Sequence, residues 1–577
     1  MQGSQIIYKK LIQHNVKNVF LYSGGAVMSI IDQFYNNKHI NYYINSNEQN
    51  GCNSAVGYAK SSNKTGVMIT TSGPGLTNCI TSMLDSTNDS TPLIVISGQV
   101  SLNTIGTNAF QESPAVDITK NVTKWSYLVD NIDDLPYIMD YAFYIANDGK
   151  KGAVHLDIPK CIMMENSSNN DIKKMYLNNN IIYKKSSNIS NEYLSKIYHK
   201  INTSKKPIFI IGQGANNYQP EIKKLIEKTN IPVTTTMHAM GIYDERKKLS
   251  LKMCGMHGSY YANKAIQNSD CIINIGGRFD DRTIGNISKF APIATKKKNI
   301  IHCNISDIDI NKTIHSYYPV ISDANFFITK LINNINYKKR KNWIKQIDYW
   351  KELHPFQYYY ENLDIKTQSV LSYINNIIKC KKKYIFTFGV GNHLMMGCQF
   401  IDWQYPKKIL ASGSLGAMGS SIGYSIGAQI ANPDKTIICI DGDGSFNMNL
   451  SDLQTIKRYN LPIKIAIMND SCLSMVKTWE KLFYNERYTA TDNPDNPDYV
   501  KIAESYNIKG ISCDNIENLT ETINYFINYN EGPILCDFRV KSDVCLPLVR
   551  PGASLDDMIL FKDYNKDMQL DKKNTPC

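Results

Sequence analysis

The sequence predicts an α/β fold of three domains, each a parallel sheet flanked by helices, on three observations. Short runs such as 66–70, 207–211 and 436–440 are apolar at nearly every position, the mark of strands buried on both faces. Several of these runs deliver a glycine-rich or acidic turn into a helical stretch, as repeated β-α-β units do. And 577 residues exceed what one hydrophobic core organises, so about three domains of ordinary size are expected.

Taken in order, the first block runs to about residue 165. It opens with a helical pattern at 5–14 and a strand at 18–22. A glycine turn, Tyr22-Ser-Gly-Gly25-Ala, follows. Residues 41–51 read as strand, turn and helix, and further strands lie at 93–97 and 153–158. From 163 to 192 Asn, Ser and Lys dominate, so 166–192 is assigned as a linker. The second domain is placed at 193–345, beginning with the strand at 207–211, and the third at 360–540, with 541–577 as a tail. There is no short-period repeat.

Composition narrows the function classes. The net charge of +12 comes from scattered lysines and short runs, with no aromatic-basic interleaving, so nucleic acid is not an expected partner. The fourteen cysteines form no CxxC pair and no metal-ligand spacing, and several lie inside apolar strands, which suits a reducing compartment. No segment is apolar for long enough to cross a bilayer, and the N-terminus lacks a signal pattern. No membrane association and a cytoplasmic location are therefore the expectations.

The third block carries the clearest chemistry. Strand 436–440 runs into Asp441-Gly442-Asp443-Gly444-Ser445. A helical stretch, 450–459, then leads to a second strand, 463–468, that ends at Asn469-Asp470. One crossover thus puts Asp443 and Asp470 at the carboxyl ends of neighbouring parallel strands, where open α/β sheets bind ligands. Gly442 and Gly444 let the backbone turn and approach a ligand. Two carboxylates there suit a hard cation such as Mg²⁺, which takes further oxygens from phosphate. A bare GDGS is also an ordinary strand-to-helix turn; the second acid favours the cradle.

Elsewhere the residues alone leave alternatives open. Glu48, where a strand ends and a helix starts, reads by itself as a surface acid favoured by the helix dipole. In the middle block Gly212-Gln-Gly214 follows a strand, Gly255-Met256-His257-Gly258 reads as a loop, and Gly276-Gly-Arg278-Phe-Asp280-Asp-Arg282 follows the strand 271–275. Arg278 and Arg282, one helical turn apart, suit a phosphate or carboxylate, or belong to a structural salt-bridge cluster. Met418 in its glycine-rich loop, and Met475 with Trp479 on one helical face, read as ligand contacts or as core.

The GDGS and Asn469-Asp470 pair resembles the cofactor motif of thiamine-diphosphate enzymes, with Asp470 where that motif has a second asparagine. Further segments resemble one family among them, the acetolactate synthase catalytic subunits: Glu48-Gln49, Thr71-Ser-Gly-Pro-Gly75, Gly98-Gln-Val100, Ala109-Phe110-Gln111-Glu112 and Arg278-Phe-Asp280-Asp-Arg282. The likeness spans about residues 4 to 560. It implies thiamine diphosphate, Mg²⁺ and a largely structural FAD, with pyruvate and a second 2-keto acid as substrates in branched-chain amino acid biosynthesis. It also implies at least a homodimer, since the cofactor bridges the first domain of one subunit and the third of another, and leaves room for a regulatory small subunit.

Residue roles implied by the resemblance are these. Glu48 bonds the cofactor's pyrimidine ring and activates its nucleophilic carbon. Gly25, Phe110 and Gln111 shape the substrate pocket, Gln111 helping to place the acceptor, and Lys124 stands at the channel mouth. Gly391-Asn392-His393 contacts the diphosphate, Gly416 and Met418 support the bent cofactor, and Gly442, Gly444, Ser445 and Met475 complete its site. Asp443, Asp470 and the carbonyl of Cys472 ligate the metal. Trp479 shapes the acceptor pocket. The flavin falls to Gly212, Gly214, Gly255, Met256, His257, Gly276, Arg278, Asp280, Arg282 and Asp323.

Departures from the family pattern cluster around this site. Asn304 and Ser306 stand where the family places acids near the flavin ribose. Ser474 replaces a glycine, Thr478 a glutamine, and Arg550-Pro-Gly552 a more neutral cap. The rival expectations are another thiamine-diphosphate decarboxylase or carboligase of the same fold, and a catalytically silent relative.

Overall fold

The computed structural model describes residues 1–35, 37–167, 189–358, 364–562 and 564. Its central strands are mainly apolar and rich in β-branched residues, as strands covered on both faces are, with polar residues such as Asn274 and His302 inside them. The first sheet holds β1 (Asn18–Leu21), β2 (Asn41–Ile44), β3 (Gly66–Thr70), β4 (Leu93–Gln99), β5 (Trp125–Leu128) and β6 (Ala153–Pro159), in the order β2-β1-β3-β4-β6-β5. The second holds β7 (Pro207–Ile211), β8 (Val233–Thr235), β9 (Ser250–Met253), β10 (Cys271–Ile275), β11 (Ile300–Asn304) and β12 (Tyr318–Ile321), ordered β12-β11-β10-β7-β8-β9. The third holds β13 (Tyr384–Phe388), β14 (Ile409–Leu410), β15 (Thr436–Gly442), β16 (Lys464–Asn469), β17 (Lys509–Cys513) and β18 (Ile534–Arg539), ordered β14-β13-β15-β16-β18-β17. Every pairing within these three sheets is parallel.

The first and third sheets share one core. Phe20, Met68 and Val95 belong to the same buried cluster as Tyr424, Ile437 and Ile467. Between them the helices Glu48–Ser62 and Ser421–Ala431 lie in backbone contact. A Cβ on Gly57 would stand 2.4 Å from Tyr424 Cα, and one on Gly427 only 1.9 Å from the Ser54 carbonyl oxygen. Such close approach requires glycine at both places.

Three expectations are adjusted. The stretch 450–459 is a 3₁₀ turn, Leu450–Asp452, followed by the helix Leu453–Arg458, and the strand after it is Lys464–Asn469. The expected linker falls mainly on 168–188, outside the described residues, as do 359–363 and most of the last stretch of the tail. The described part of the tail is ordered by packing: it forms an antiparallel ribbon, Leu548–Val549 with Met558–Ile559. Ala553, Leu555 and Leu560 pack with Trp343 and Trp350 beside the second sheet. Among the described residues no helix is long and apolar enough to cross a membrane.

Candidate active site

β15 and β16 pair in register at Gly442 and Met468, so both chains leave the sheet side by side. Asp443 opens the short helix Asp443–Asn447, and Asp470 follows β16 directly. Asp443 is buried and accepts hydrogen bonds from Asn496 (2.7 Å) and Asn493 (3.4 Å). Burial pushes its carboxyl up to about 6, with the charge of Asp470 adding to the rise and the two asparagines opposing it. Asp470 Oδ2 accepts from Ser474 Oγ at 2.5 Å, whereas Asp470 Oδ1 is buried with no hydrogen-bond partner. The Cys472 carbonyl accepts from the Ser474 amide (3.0 Å). Ser445 Oγ accepts from the Gly419 amide at 2.9 Å, which joins the GDGS turn to the Met418 loop.

Among the described residues no group of three or more His, Cys, Asp and Glu side chains could enclose a metal ion. The donor set is two carboxylates and a backbone carbonyl. A hard cation completes such a set with phosphate oxygens and water. The bare, buried Asp470 Oδ1 and the carboxyl of Asp443, raised by burial and by the neighbouring acid, are groups that a cation would stabilise, so these residues fit Mg²⁺.

Beside Asp470 a crevice is lined by Thr367, Gln368, Asn392, His393, Met396, Met468, Ser474 and Asp543. Three buried polar atoms on it lack partners, Gln368 Oε1, Asn392 Oδ1 and Asp470 Oδ1, and His393 Nε2 makes no hydrogen bond but lies 3.5 Å from Asp441 Oδ1. A Cβ on Gly391 would lie 2.9 Å from the His393 ring and one on Gly442 3.0 Å from it, so glycine on both sides frees the imidazole's place. Asn392 Nδ2 donates to Ser474 O (3.1 Å), Thr478 Oγ1 (3.0 Å) and Asp543 O (3.1 Å). Gln368 and Asp543, which bond each other at 3.2 Å, were not foreseen from the sequence. They come from stretches without motif, at the start of the third domain and in the tail. Met418 sits half-buried between Gly416 (φ +73°) and Gly419 (φ +76°). Met475 and Trp479 lie half-buried on the helix Ser474–Phe483, and Trp479 packs on Phe483 with ring centroids 5.1 Å apart.

In the first domain Glu48 is buried at the first turn of its helix, which Asn47 caps by accepting from the Asn50 amide (2.9 Å). Asn78 Nδ2 donates to Glu48 Oε2 at 2.9 Å, from the helix end that follows the TSGPG turn. Phe110 is 88% exposed, and Gln111 holds a left-handed backbone (φ +62°). Their loop is shaped by Glu112, whose carboxylate accepts from the Gly106 and Ala109 amides (2.5 and 2.9 Å), bonds that hold it below the usual carboxylate range. Gly25 faces open space. No hydrogen bond or ion pair among the described residues joins Glu48 to Asp443 or Asp470. Lys124 has a different occupation from that implied by the resemblance. Its ammonium donates to the carbonyls of Ile145 and Asp148 (2.5 and 2.7 Å) at the end of the helix Leu135–Asn147, and burial lowers it to about 8.

In the second sheet the strand order reverses between β10 and β7, the crevice where such sheets take nucleotides. Gly212, Gly214 and Gly276 meet there backbone to backbone; a Cβ on Gly212 would stand 2.3 Å from Gly276 O. Arg278 and Arg282 are not on one helical face. Phe279 turns through a left-handed φ of +57°, and the helix begins only at Asp281, capped by Asp280. Arg278 donates to Asn88 O and Ser414 Oγ (both 2.6 Å), Arg282 to Met256 Sδ (3.0 Å). Gly255 passes close under the Arg282 carbonyl. His257 is buried, lowered to about 4 by desolvation, with Nδ1 unpartnered. Asp323 caps the helix Ala324–Asn334 and accepts from Tyr218 Oη (2.9 Å). Asn304 Nδ2 donates to Gly277 O (3.1 Å) and its Oδ1 accepts from the Ser306 amide (3.0 Å). The three glycines are packed against one another, and Asn304, bonded to Gly277 and Ser306, does not fit the acid that would hold a flavin ribose.

Comparison with known proteins agrees with this geometry. Three family models match: thiamine pyrophosphate enzyme, N-terminal TPP binding domain (residues 1–120), central domain (194–331) and C-terminal TPP binding domain (389–538). The chain is 37% identical to the mitochondrial acetolactate synthase catalytic subunit of Saccharomyces cerevisiae, over 100% of this chain and 85% of that protein. It is 34% identical to the acetolactate synthase large subunit of Lactococcus lactis, over 98% of each. It is also 34% identical to the chloroplastic acetolactate synthase 1 of Zea mays, over 97% of this chain and 89% of that one.

Proposed function

Because the chain belongs to the acetolactate synthase catalytic-subunit family of thiamine-pyrophosphate enzymes, we propose that it decarboxylates pyruvate and joins the remaining two-carbon unit to a second 2-keto acid. The product is 2-acetolactate from pyruvate, or 2-aceto-2-hydroxybutyrate from 2-ketobutyrate. The observation that carries this reading is the pair Asp443 and Asp470 at adjacent strand ends, one buried oxygen of Asp470 bare, beside a crevice of unpartnered polar atoms.

Thiamine diphosphate, when bound, supplies a carbon nucleophile and an electron sink. The residues of this chain supply the rest. Asp443, Asp470 and the Cys472 carbonyl would hold Mg²⁺, with Asn392, His393 and Gln368 facing the diphosphate. Glu48, fixed by Asn78, would exchange a proton with the pyrimidine ring. Met418 would support the cofactor, and Gln111 and Trp479 would orient the acceptor. Excluding water around that acceptor keeps the two-carbon unit from leaving as acetaldehyde.

A homodimer belongs to the same reading, each site combining the first domain of one copy with the third of the other, and the 88% exposure of Phe110 is the surface feature that supports it. A regulatory subunit is part of the proposal, since the yeast relative is named a catalytic subunit. FAD, weakly held at its ribose, is proposed for the β10/β7 crevice without a role in the chemistry. Described cysteines are all free, which supports a reducing compartment. The cytoplasm is our choice, although relatives are named for mitochondria and chloroplasts.

The test is incubation of the purified protein with pyruvate, Mg²⁺ and thiamine diphosphate, with and without FAD, and assay of acetolactate as acetoin after acid treatment. Acetolactate that requires thiamine diphosphate and Mg²⁺ supports the reading; acetaldehyde alone would make the protein a decarboxylase of the same fold.

A further inference from the structure

The helix Ile80–Asn88 and its C-cap Asp89 present two buried carboxylates to the third domain. Asp89 accepts from Lys60 Nζ (2.7 Å), His238 Nε2 (3.1 Å) and the amides of Gly413 and Ser414 (both 2.9 Å). Asp85 accepts from Lys60 Nζ (3.5 Å), Ser412 Oγ and Tyr424 Oη. Lys60 Nζ also donates to Ala411 O at 2.7 Å, and Ser412 Oγ accepts from the Ala417 amide at 2.9 Å. First-domain charges thus hold four successive residues, 411 to 414, Ser412 through its side chain, and Ser412 in turn ties in the Ala417 amide. Its other end, Gly419, hangs from Ser445 of the GDGS turn. Met418 lies between the two anchors.

A buried ion cluster is not needed to hold helices together, because apolar side chains of the same volume would do it as well. Apolar side chains could not, however, orient the amides of Gly413 and Ser414 or the hydroxyl of Ser412. The neighbouring protonation directions agree: Asp89 is held well below the usual carboxylate range against the cost of burial, by Lys60 and His238.

We propose that Asp85 and Asp89 are positioning residues for the cofactor, acting through Lys60 and Ser412 to hold the Met418 loop in its binding shape. They touch neither cofactor nor substrate. His238 and Arg278, which reaches both Asn88 O and Ser414 Oγ, bring the second domain into the same anchor. The proposal rests on the reading of the Met418 loop as part of the cofactor site.

The test measures thiamine diphosphate binding, in saturating Mg²⁺, to the full-length protein and to Ser412→Ala, Asp89→Asn and Trp343→Phe by titration calorimetry, alongside melting without cofactor. Trp343→Phe serves as a core change in the second domain, away from the loop. We expect Ser412→Ala and Asp89→Asn to bind about tenfold more weakly or worse, with pyruvate KM unchanged once cofactor is saturating, and Trp343→Phe to bind as wild type does. Ser412→Ala binding like wild type, or losing no more than a Trp343→Phe protein that melts equally low, would overturn the positioning role. Failure of the wild type to bind the cofactor would overturn the site reading itself, and this proposal with it.

Discussion

Ser474 Oγ donates to Asp470 Oδ2 at 2.5 Å, so two departures from the family pattern meet in one hydrogen bond. The serine hydroxyl sits where the family has glycine and the carboxylate where it has asparagine. A charge-assisted bond of this kind fixes the carboxylate plane and leaves Oδ1 to face the cation position. Replacing Asp470 with Asn should remove one of two negative charges and raise the Mg²⁺ concentration needed for half-maximal activity by about tenfold. A Mg²⁺ titration at saturating thiamine diphosphate checks this, and an unchanged midpoint would mean that an amide oxygen serves the cation as well as the carboxylate does.

Asp443 gives the site a pH signature. Its carboxyl, raised to about 6 mainly by burial, holds a proton in the folded state that the unfolded chain has already released at the ordinary value of 3.8. Between those values the folded state binds more protons, so this group's contribution makes the metal-free protein less stable as pH rises through that window. A bound cation cancels the penalty. The gain in melting temperature on adding Mg²⁺ with thiamine diphosphate should therefore be larger at about pH 7 than at about pH 5; equal gains would sink the assignment.

Glu48→Gln keeps the shape and the hydrogen bond from Asn78 only after an amide flip, and it cannot exchange a proton with the ring. Turnover should fall by about 10²–10⁴, while calorimetric binding of thiamine diphosphate changes little. Retained turnover would favour a different proton relay or a silent role for this acid.

Gly427→Ala would push a methyl into the Ser54 carbonyl at 1.9 Å, and the obstacle is helix backbone that cannot swing aside. Overpacking there should cost about 1–3 kcal/mol or more, read as a lower melting temperature. Wild-type melting would show that the two helices are free to separate.

Lys124 tells substrate steering from helix capping. With its ammonium on two carbonyls at a helix end, Lys124→Gln should lower the melting temperature and leave pyruvate KM within about twofold, since a group so engaged adds little to the field at a channel mouth. A large rise in KM with unchanged melting would restore the steering role.

The strands at 66–70, 207–211, 271–275 and 384–388 could be read to the residue because they are apolar at nearly every position, Asn274 and Thr387 being the interior exceptions, and both faces are covered. The Asp443–Asp470 juxtaposition was readable for a related reason, since one crossover between adjacent parallel strands leaves little freedom in where the chain ends emerge. Arg278 and Arg282 were misread because spacing assumes a continuous helix, and the left-handed turn at Phe279 is a local event that neighbouring residues do not announce. Gln368 and Asp543 carry no motif; they reach the crevice only because the start and the tail of the third domain fold against each other. Nor did any pattern mark Asp85 and Asp89, whose partners beyond Lys60 come from other domains.

The strand orders of the outer sheets, β2-β1-β3-β4-β6-β5 and β14-β13-β15-β16-β18-β17, become the same sequence once each is counted from its own first strand. In that count the helices Glu48–Ser62 and Ser421–Ala431 are the same element, each following the second strand, and they rest on one another. One polypeptide therefore contains the equivalent of an isologous dimer contact, with Gly57 pressed on the partner helix from one side and Gly427 from the other. The TSGPG turn after β3 and the GDGS turn after β15 are then topological counterparts: one sheet plan, repeated, has placed a glycine turn at the end of its third strand for two separate tasks.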